Sequence, residues 1–326
     1  MLRVFITIDT EFWPRKEYRV ADDYIDDFQR DIHGRTPEGD FGLTFQLEML
    51  RRFDLRAVCL VEALHPYAVG HEPLKEIVEL VLDGGHDVQL HLHTEWLNWM
   101  SKSLLPGRSG QNMHDFSLDE QSLLIASGLA AMKECGAGRI CAFRAGNYGA
   151  DNQTLQALAQ NDILYDTSHN TAYLDSTCRI QTEEVPLQPG RLDGVLEVPI
   201  SFFRDFRKCR HAQFQACSSS ELEYALLEAW KKGWESFVIV SHSFELIRRG
   251  DANRPSRPDP IVLRRFERFC HFLSENRDKF ETCTFADLPK FNDSRDSDST
   301  PIRMKPFYTC GRIFEQLRRR MMGPAK

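Results

Sequence analysis

Apolar residues in this chain fall in two alternating patterns: short continuous runs, and longer stretches with apolar positions three and four apart. The first run, residues 2–9, is rich in β-branched residues and ends in acid, which predicts a strand. Leu43, Leu47 and Leu50 then recur at helical spacing within residues 41–53. Residues 55–63 read as a second strand. Residues 73–83 read as a helix with proline at its start and Gly84-Gly85 at its end. A buried strand rich in histidine follows, then a polar excursion over 97–116 that contains Pro106-Gly107. Residues 117–135 predict a helix whose Ser117 and Glu120 fit a capping box. Further strands are expected at 140–144, 163–167, 195–200, 237–242 and 282–288, with helices at 151–161, 220–232 and 261–277. Seven or eight strands alternating with helices predict an α/β fold with a parallel sheet, closed as a barrel or open and doubly wound.

The pattern stops near Asn292, where a run of Asn, Asp, Ser, Arg and Thr has nothing to bury. This divides the chain into a main domain over 1–290 and a polar linker with a short tail over 291–326. In the tail, Ile313, Phe314, Leu317 and Met321 share one helical face, opposite Arg318 and Arg319, with Arg320 at its edge. Such a basic amphipathic helix either docks on its own domain or touches an anionic membrane or a partner.

Composition narrows the function classes. With 326 residues, 42% of them hydrophobic, the chain can bury a large core, and a net charge of −7 offers no basic field for nucleic acid. No apolar stretch approaches the roughly 18 residues of a membrane span. The opening residues carry neither the apolar run nor the cleavage site of an export signal, and nine cysteines are scattered without a CxxC pair. Reduced thiols and a cytoplasmic location are the expectation.

Candidate chemistry sits where the apolar runs end. The segment Gly-His-Asp-Val-Gln-Leu-His-Leu-His-Thr-Glu-Trp, residues 85–96, places His91 and His93 on one face of a strand and Leu90 and Leu92 on the other. Two imidazoles at a strand end suit a borderline-soft divalent cation such as zinc. Asp9 and Glu11 end the first strand, Glu95 follows the histidines, and Arg144, Asp166 and His242 end three others. Parallel α/β folds gather functional groups at strand carboxyl ends, so these residues are expected to share one pocket. A cation held by imidazole and carboxylate activates water and polarises a carbonyl. A free carboxylate then takes a proton, and a histidine opposite protonates a leaving group. The set suits hydrolysis of an amide or ester, and no serine or cysteine sits in a nucleophile elbow.

The ordered motifs Thr-Ile-Asp-Thr-Glu, the histidine segment, Arg-Ala-Gly-Asn-Tyr, Tyr-Asp-Thr-Ser and Val-Ser-His-Ser resemble the polysaccharide deacetylases, the NodB-homology enzymes of carbohydrate esterase family 4. The resemblance covers roughly residues 1–290 and implies a distorted (β/α)7-type barrel. It implies Asp9 as general base. The adjacent metal-ligand position is Thr10, so that role passes to Glu11 unless Asp9 and Glu11 exchange parts. His91 matches the first metal-binding histidine; the second position falls on Glu95, and His93 is an additional imidazole, so either completes the site. Arg144 matches the arginine that pairs with the base, Tyr148 an aromatic lining the groove, His242 the general acid, and Asp166 a residue that orients it. Gly146 stands near the place of a family proline. Trp96 and Trp99 either stack on sugar rings or pack beneath the long loop, and Trp13 poses the same choice. The implied activity is removal of an acetyl group from an N-acetylated sugar or glycan intermediate with one zinc ion. A hydrolase of a non-sugar amide, or a silent protein that binds a glycan or a partner, are the alternatives that the departures at Thr10 and Glu95 leave open.

Overall fold

The apolar runs become the strands of one curled sheet. A computed structural model describes residues 1–15, 22–206, 208–250, 254–288 and 300–321. Its main sheet contains β1 (Leu2–Thr10), β2 (Val58–Glu62), β3 (Asp87–Leu92), β4 (Ala142–Ala145), β5 (Tyr165–Asp166), β6 (Gly190–Leu192), β7 (Val195–Glu197), β8 (Ser236–His242) and β9 (Phe280–Thr282). The order is β8-β1-β2-β3-β4-β5-β7-β6, with β9 pairing the start of β1. All pairs are parallel except β6 with β7. Beyond β7 the chain curls back to β8, where the Ser201 amide donates to the Val238 carbonyl at 3.2 Å and Ser201 Oγ accepts from the Val238 amide. These bonds complete the distorted barrel.

Strand alternation sorts the core into two layers. Ile6, Ile8, Cys59, Val61 and Leu90 pack outward beneath the helices α1 (Leu43–Arg52), α2 (Glu72–Asp83), α3 (Leu118–Glu134), α4 (Asn152–Gln160), α5 (Ser219–Lys231) and α6 (Pro260–Glu275). Phe5, Val58, Leu60, Val238, Val240 and Phe285 fill the interior, where Phe5 and Phe285 stack with centroids 4.9 Å apart. Along β1 the inward positions thus run from apolar Phe5, through Thr7, to Asp9 at the open end. The expected capping box of α3 is present, with Ser117 and Glu120 bonding reciprocally.

Differences from the sequence reading have local causes. The strand expected at 282–288 is Phe280–Thr282 instead, because the Asp87 carboxylate takes the amides of Phe285 and Ala286. The strand expected at 163–167 contracts to Tyr165–Asp166. An antiparallel hairpin, Phe202–Asp205 with Lys208–His211, was not foreseen, since its apolar residues are few and its turn is charged. All nine cysteines are free thiols, and among the described residues no helix is long and apolar enough to cross a membrane. Most of the expected polar linker, residues 292–299, lies outside the described residues. The tail forms α7 (Pro306–Met321), which docks on its own domain. Arg312 reaches Asp205 and Glu221, Glu315 meets Arg265 at 2.7 Å, and Arg319 meets Asp259 at 2.5 Å.

Candidate active site

Register places the functional side chains at one level. Asp9 on β1 is directly beside His242 on β8, and His91 on β3 is directly beside Arg144 on β4. Asp9, Glu11, His91, His93, Tyr148 and His242 line one cavity of about 250 Å³ at the carboxyl end of the sheet.

Glu11, His91 and His93 form a compact, buried cluster whose ligand atoms all lie within 4.8 Å of one another. Glu11 Oε2 is 2.6 Å from His93 Nε2 and 3.4 Å from His91 Nε2. The far side of each ring is held. His91 Nδ1 lies 2.7 Å from the Arg144 carbonyl and His93 Nδ1 lies 3.2 Å from Glu95 Oε2. A ring that donates through Nδ1 keeps its Nε2 lone pair for a cation. Two imidazole nitrogens and one carboxylate oxygen turned on a common point fit a zinc-like ion with room for water or substrate. Burial opposes ionisation of Glu11, but the His93 charge and the bonds from His91 and His93 hold its carboxyl well below the usual range. Burial likewise opposes charge on His93, yet Glu11 and Glu95 raise its pKa well above the usual value. Glu95 is thus outside the cluster. It braces His93 from behind and accepts in turn from Asn147 Nδ2 at 2.7 Å. Thr10 Oγ1 bonds the Ile8 carbonyl and has no place in the cluster, whereas Glu11 does.

Asp9 is fixed by a buried guanidinium. Arg144 Nη1 donates to Asp9 Oδ1 at 2.6 Å and to Thr7 Oγ1 at 2.9 Å, while Nε donates to the Thr167 carbonyl. Arg144 therefore sits wholly beneath the cavity floor with its donors engaged. On the other side, His242 Nδ1 is 3.1 Å from Glu245 Oε2, and Glu245 is held by the Gln215 amide and Gln213 Nε2. Burial alone would discharge His242; the Glu245 bond and the charges of Glu245, Asp9 and Glu11 outweigh it and raise its pKa to about 9.

Two expectations are corrected. Asp166 does not orient His242: its carboxylate accepts from Ser168, and it lies beside buried Glu197, whose carboxyl is pushed well above the usual range by burial and by Asp166. Glu245 holds the histidine instead. Trp96 does not offer a face to substrate, because it is fully buried among Phe12, Trp13 and His65. Trp13 instead packs edge-on to His93 with centroids 4.6 Å apart. Tyr148 does line the cavity, beside Tyr173 at 5.2 Å.

Gly146 has a role that the sequence left unassigned. A Cβ there would lie 2.5 Å from the ring of His93. Gly146→Ala should push His93 aside and weaken the affinity of the cluster for an added divalent cation such as zinc by about tenfold to a hundredfold, as loss of outer support does at metal sites; titration with a competing chelator reads this directly. Sequence reasoning also missed Glu245, although a carboxylate three residues beyond His242 was a readable signal. Gln213 and Tyr173 reach the cavity from segments outside the sheet's strand ends, and no local pattern marked them.

The chain is similar to the crystal structure of a Mycobacterium smegmatis protein assigned as a polysaccharide deacetylase, with TM-score 0.51 and 16% identity over 87% of each chain. The chain has the polysaccharide deacetylase fold. A family 4 carbohydrate esterase from Streptomyces lividans, solved with acetate, aligns at TM-score 0.44 and 12% identity, covering 86% of this chain and 92% of that one. A peptidoglycan deacetylase from Bacillus subtilis aligns at TM-score 0.40 and 9% identity, covering 98% and 96%. No family model matches the chain, and no curated protein matches it in sequence. At such identities the likeness concerns the deacetylase fold, and the chemistry must be argued from the side chains themselves.

Proposed function

We propose that the protein is a metal-dependent hydrolase that removes an acetyl group from an N-acetylated sugar or glycan. The observation that carries this reading is the convergence, in one cavity, of the Glu11–His91–His93 cluster, the Arg144-held Asp9 and the Glu245-held His242.

Glu11, His91 and His93 would hold a zinc-like ion, which when bound would acidify water and polarise the amide carbonyl. Asp9 accepts the proton of the attacking water, and the 2.6 Å bond from Arg144 Nη1 holds that carboxylate in place. His242, protonated through its bond to Glu245, gives its proton to the departing amine nitrogen so that the C–N bond breaks to acetate and a free amine. Tyr148 and Tyr173 form an aromatic wall suited to the face of a sugar ring.

The proton on His242 sets a pH dependence. The acid form predominates below its pKa of about 9, and activity falls as pH rises through that value. A bound cation lowers the value, so the alkaline limb should lie at or below pH 9. Glu245→Gln removes the charge that opposes burial, and the limb should then shift toward the ordinary histidine value of about 6.5. A kcat–pH profile of both proteins checks the direction.

The test of the reading is acetate release from N-acetylglucosamine oligosaccharides by the zinc-reconstituted chain, beside a simple acyl amide of similar size. Release from the sugar, abolished by chelation and restored by zinc, supports it. Release from the acyl amide alone would move the protein to the non-sugar amidases, and no release from any substrate would leave it a binding protein.

A further inference from the structure

Helix α7 is amphipathic in the opposite sense to a helix that covers a core. Arg312, Glu315 and Arg319 face the domain and pair with Asp205, Glu221, Arg265 and Asp259. Its apolar residues Phe307, Ile313, Phe314, Leu317 and Met321 project outward, between 42% and 86% exposed. At 100° per residue, Phe314 and Met321 lie almost opposite Arg312, so the apolar stripe is centred on solvent. Water-exposed apolar surface on this scale marks an interaction site. Phe206, at the turn of the hairpin whose Asp205 holds Arg312, is exposed as well.

Charge identifies what meets this face. Residues 300–326 contain seven Lys or Arg and one acid, Glu315, a net +6 in a chain whose total is −7, and of these cations Arg312 and Arg319 are turned inward onto acids. Arg318, one residue beyond Leu317, is exposed, as are Arg303 and Lys305 ahead of the helix and Arg204 and Lys208 of the hairpin. Arg204 and Arg303 are direct neighbours on paired strands and line one open cavity, which Glu228 and Lys232 also border. Adjacent like charges of this kind are unfavourable until an anion meets them. Two such cationic faces would repel each other, which disfavours a second copy as the occupant. We propose that α7 forms a docking surface for an anionic lipid membrane, with the apolar stripe in the headgroup–acyl boundary and the exposed cations of the tail on lipid phosphates. This surface is independent of the active-site reading.

The experiment is co-sedimentation of the full chain with phosphatidylcholine vesicles, with and without phosphatidylglycerol, at low and high salt. Phe314→Gln/Leu317→Gln is the variant, since both positions are solvent-exposed and tolerate polar residues without loss of fold. The proposal expects binding to the anionic vesicles only, weakened by salt, and reduced about tenfold or more in the variant at unchanged thermal midpoint. Absence of binding, or equal binding by the variant, would overturn it. So would a concentration-dependent dimer that the variant abolishes while vesicles go unbound, which would assign the face to a second copy.

Discussion

His91→Ala should abolish both zinc binding and hydrolysis, whereas His242→Ala should abolish hydrolysis alone. His91 presents Nε2 to the cluster and, of its two imidazoles, is the one held by a main-chain carbonyl, so its loss leaves Glu11 and His93 as a two-residue remnant. Two ligands do not retain zinc against chelators, and the Lewis-acid contribution of several kcal/mol goes with the ion. That corresponds to a fall in kcat/KM of about a thousandfold or more. His242 stands outside the cluster. Its removal should cost about a hundredfold to ten-thousandfold in kcat, the span of a positioned general acid, with metal content unchanged. The pair of variants, assayed for both bound metal and turnover, separates the roles. Metal retained in His91→Ala would remove that residue from the ligand set.

Asp9→Asn should lose activity and stability together. The amide cannot accept the water proton, so kcat should fall by about a hundredfold to ten-thousandfold. The same change leaves Arg144 without its charged partner in a place where it has no access to water. Breaking a buried pair on one side costs about 3–5 kcal/mol when the partner side chain is deleted. The isosteric amide keeps one hydrogen bond, so a loss of about 2 kcal/mol is expected, read as a lower urea midpoint at constant m-value. His242→Ala should lower that midpoint less, because its ring is partly exposed and Glu245 keeps its bonds from the Gln215 amide and Gln213 Nε2. The contrast distinguishes a base built into the barrel interior from an acid mounted on its rim.

Much of this was legible in the sequence because parallel strands are simple to read. Continuous apolar runs ending in Asp9, His91, Arg144 and His242 located the strands and the level of the site. Strand alternation separated Glu11 from Thr10, and the structure places Glu11 in the cluster that lacks Thr10. Adjacency along the chain could not tell whether His93 or Glu95 joins the cluster. That is decided by the turn after β3, where a short 3-10 segment from Thr94 to Asn98 carries Glu95 behind the His93 ring. Trp96 could not be decided between a sugar face and the core for the same reason: that turn rotates it into the core against Phe12. Glu245 rather than Asp166 holds His242 because sequence shows which residues end strands, but not how far a side chain reaches across the barrel mouth. In the tail, the helix and its apolar stripe were readable, but its orientation depends on Asp205, Glu221 and Asp259, acids far away in the chain that bind its arginines.

The most direct measurement is the metal content of the purified chain by elemental analysis, before and after incubation with zinc, beside His91→Ala treated identically. About one equivalent per chain is expected for the unaltered protein and a trace for the variant. No metal in the unaltered protein after zinc is supplied, or equal amounts in both, would contradict the metal assignment.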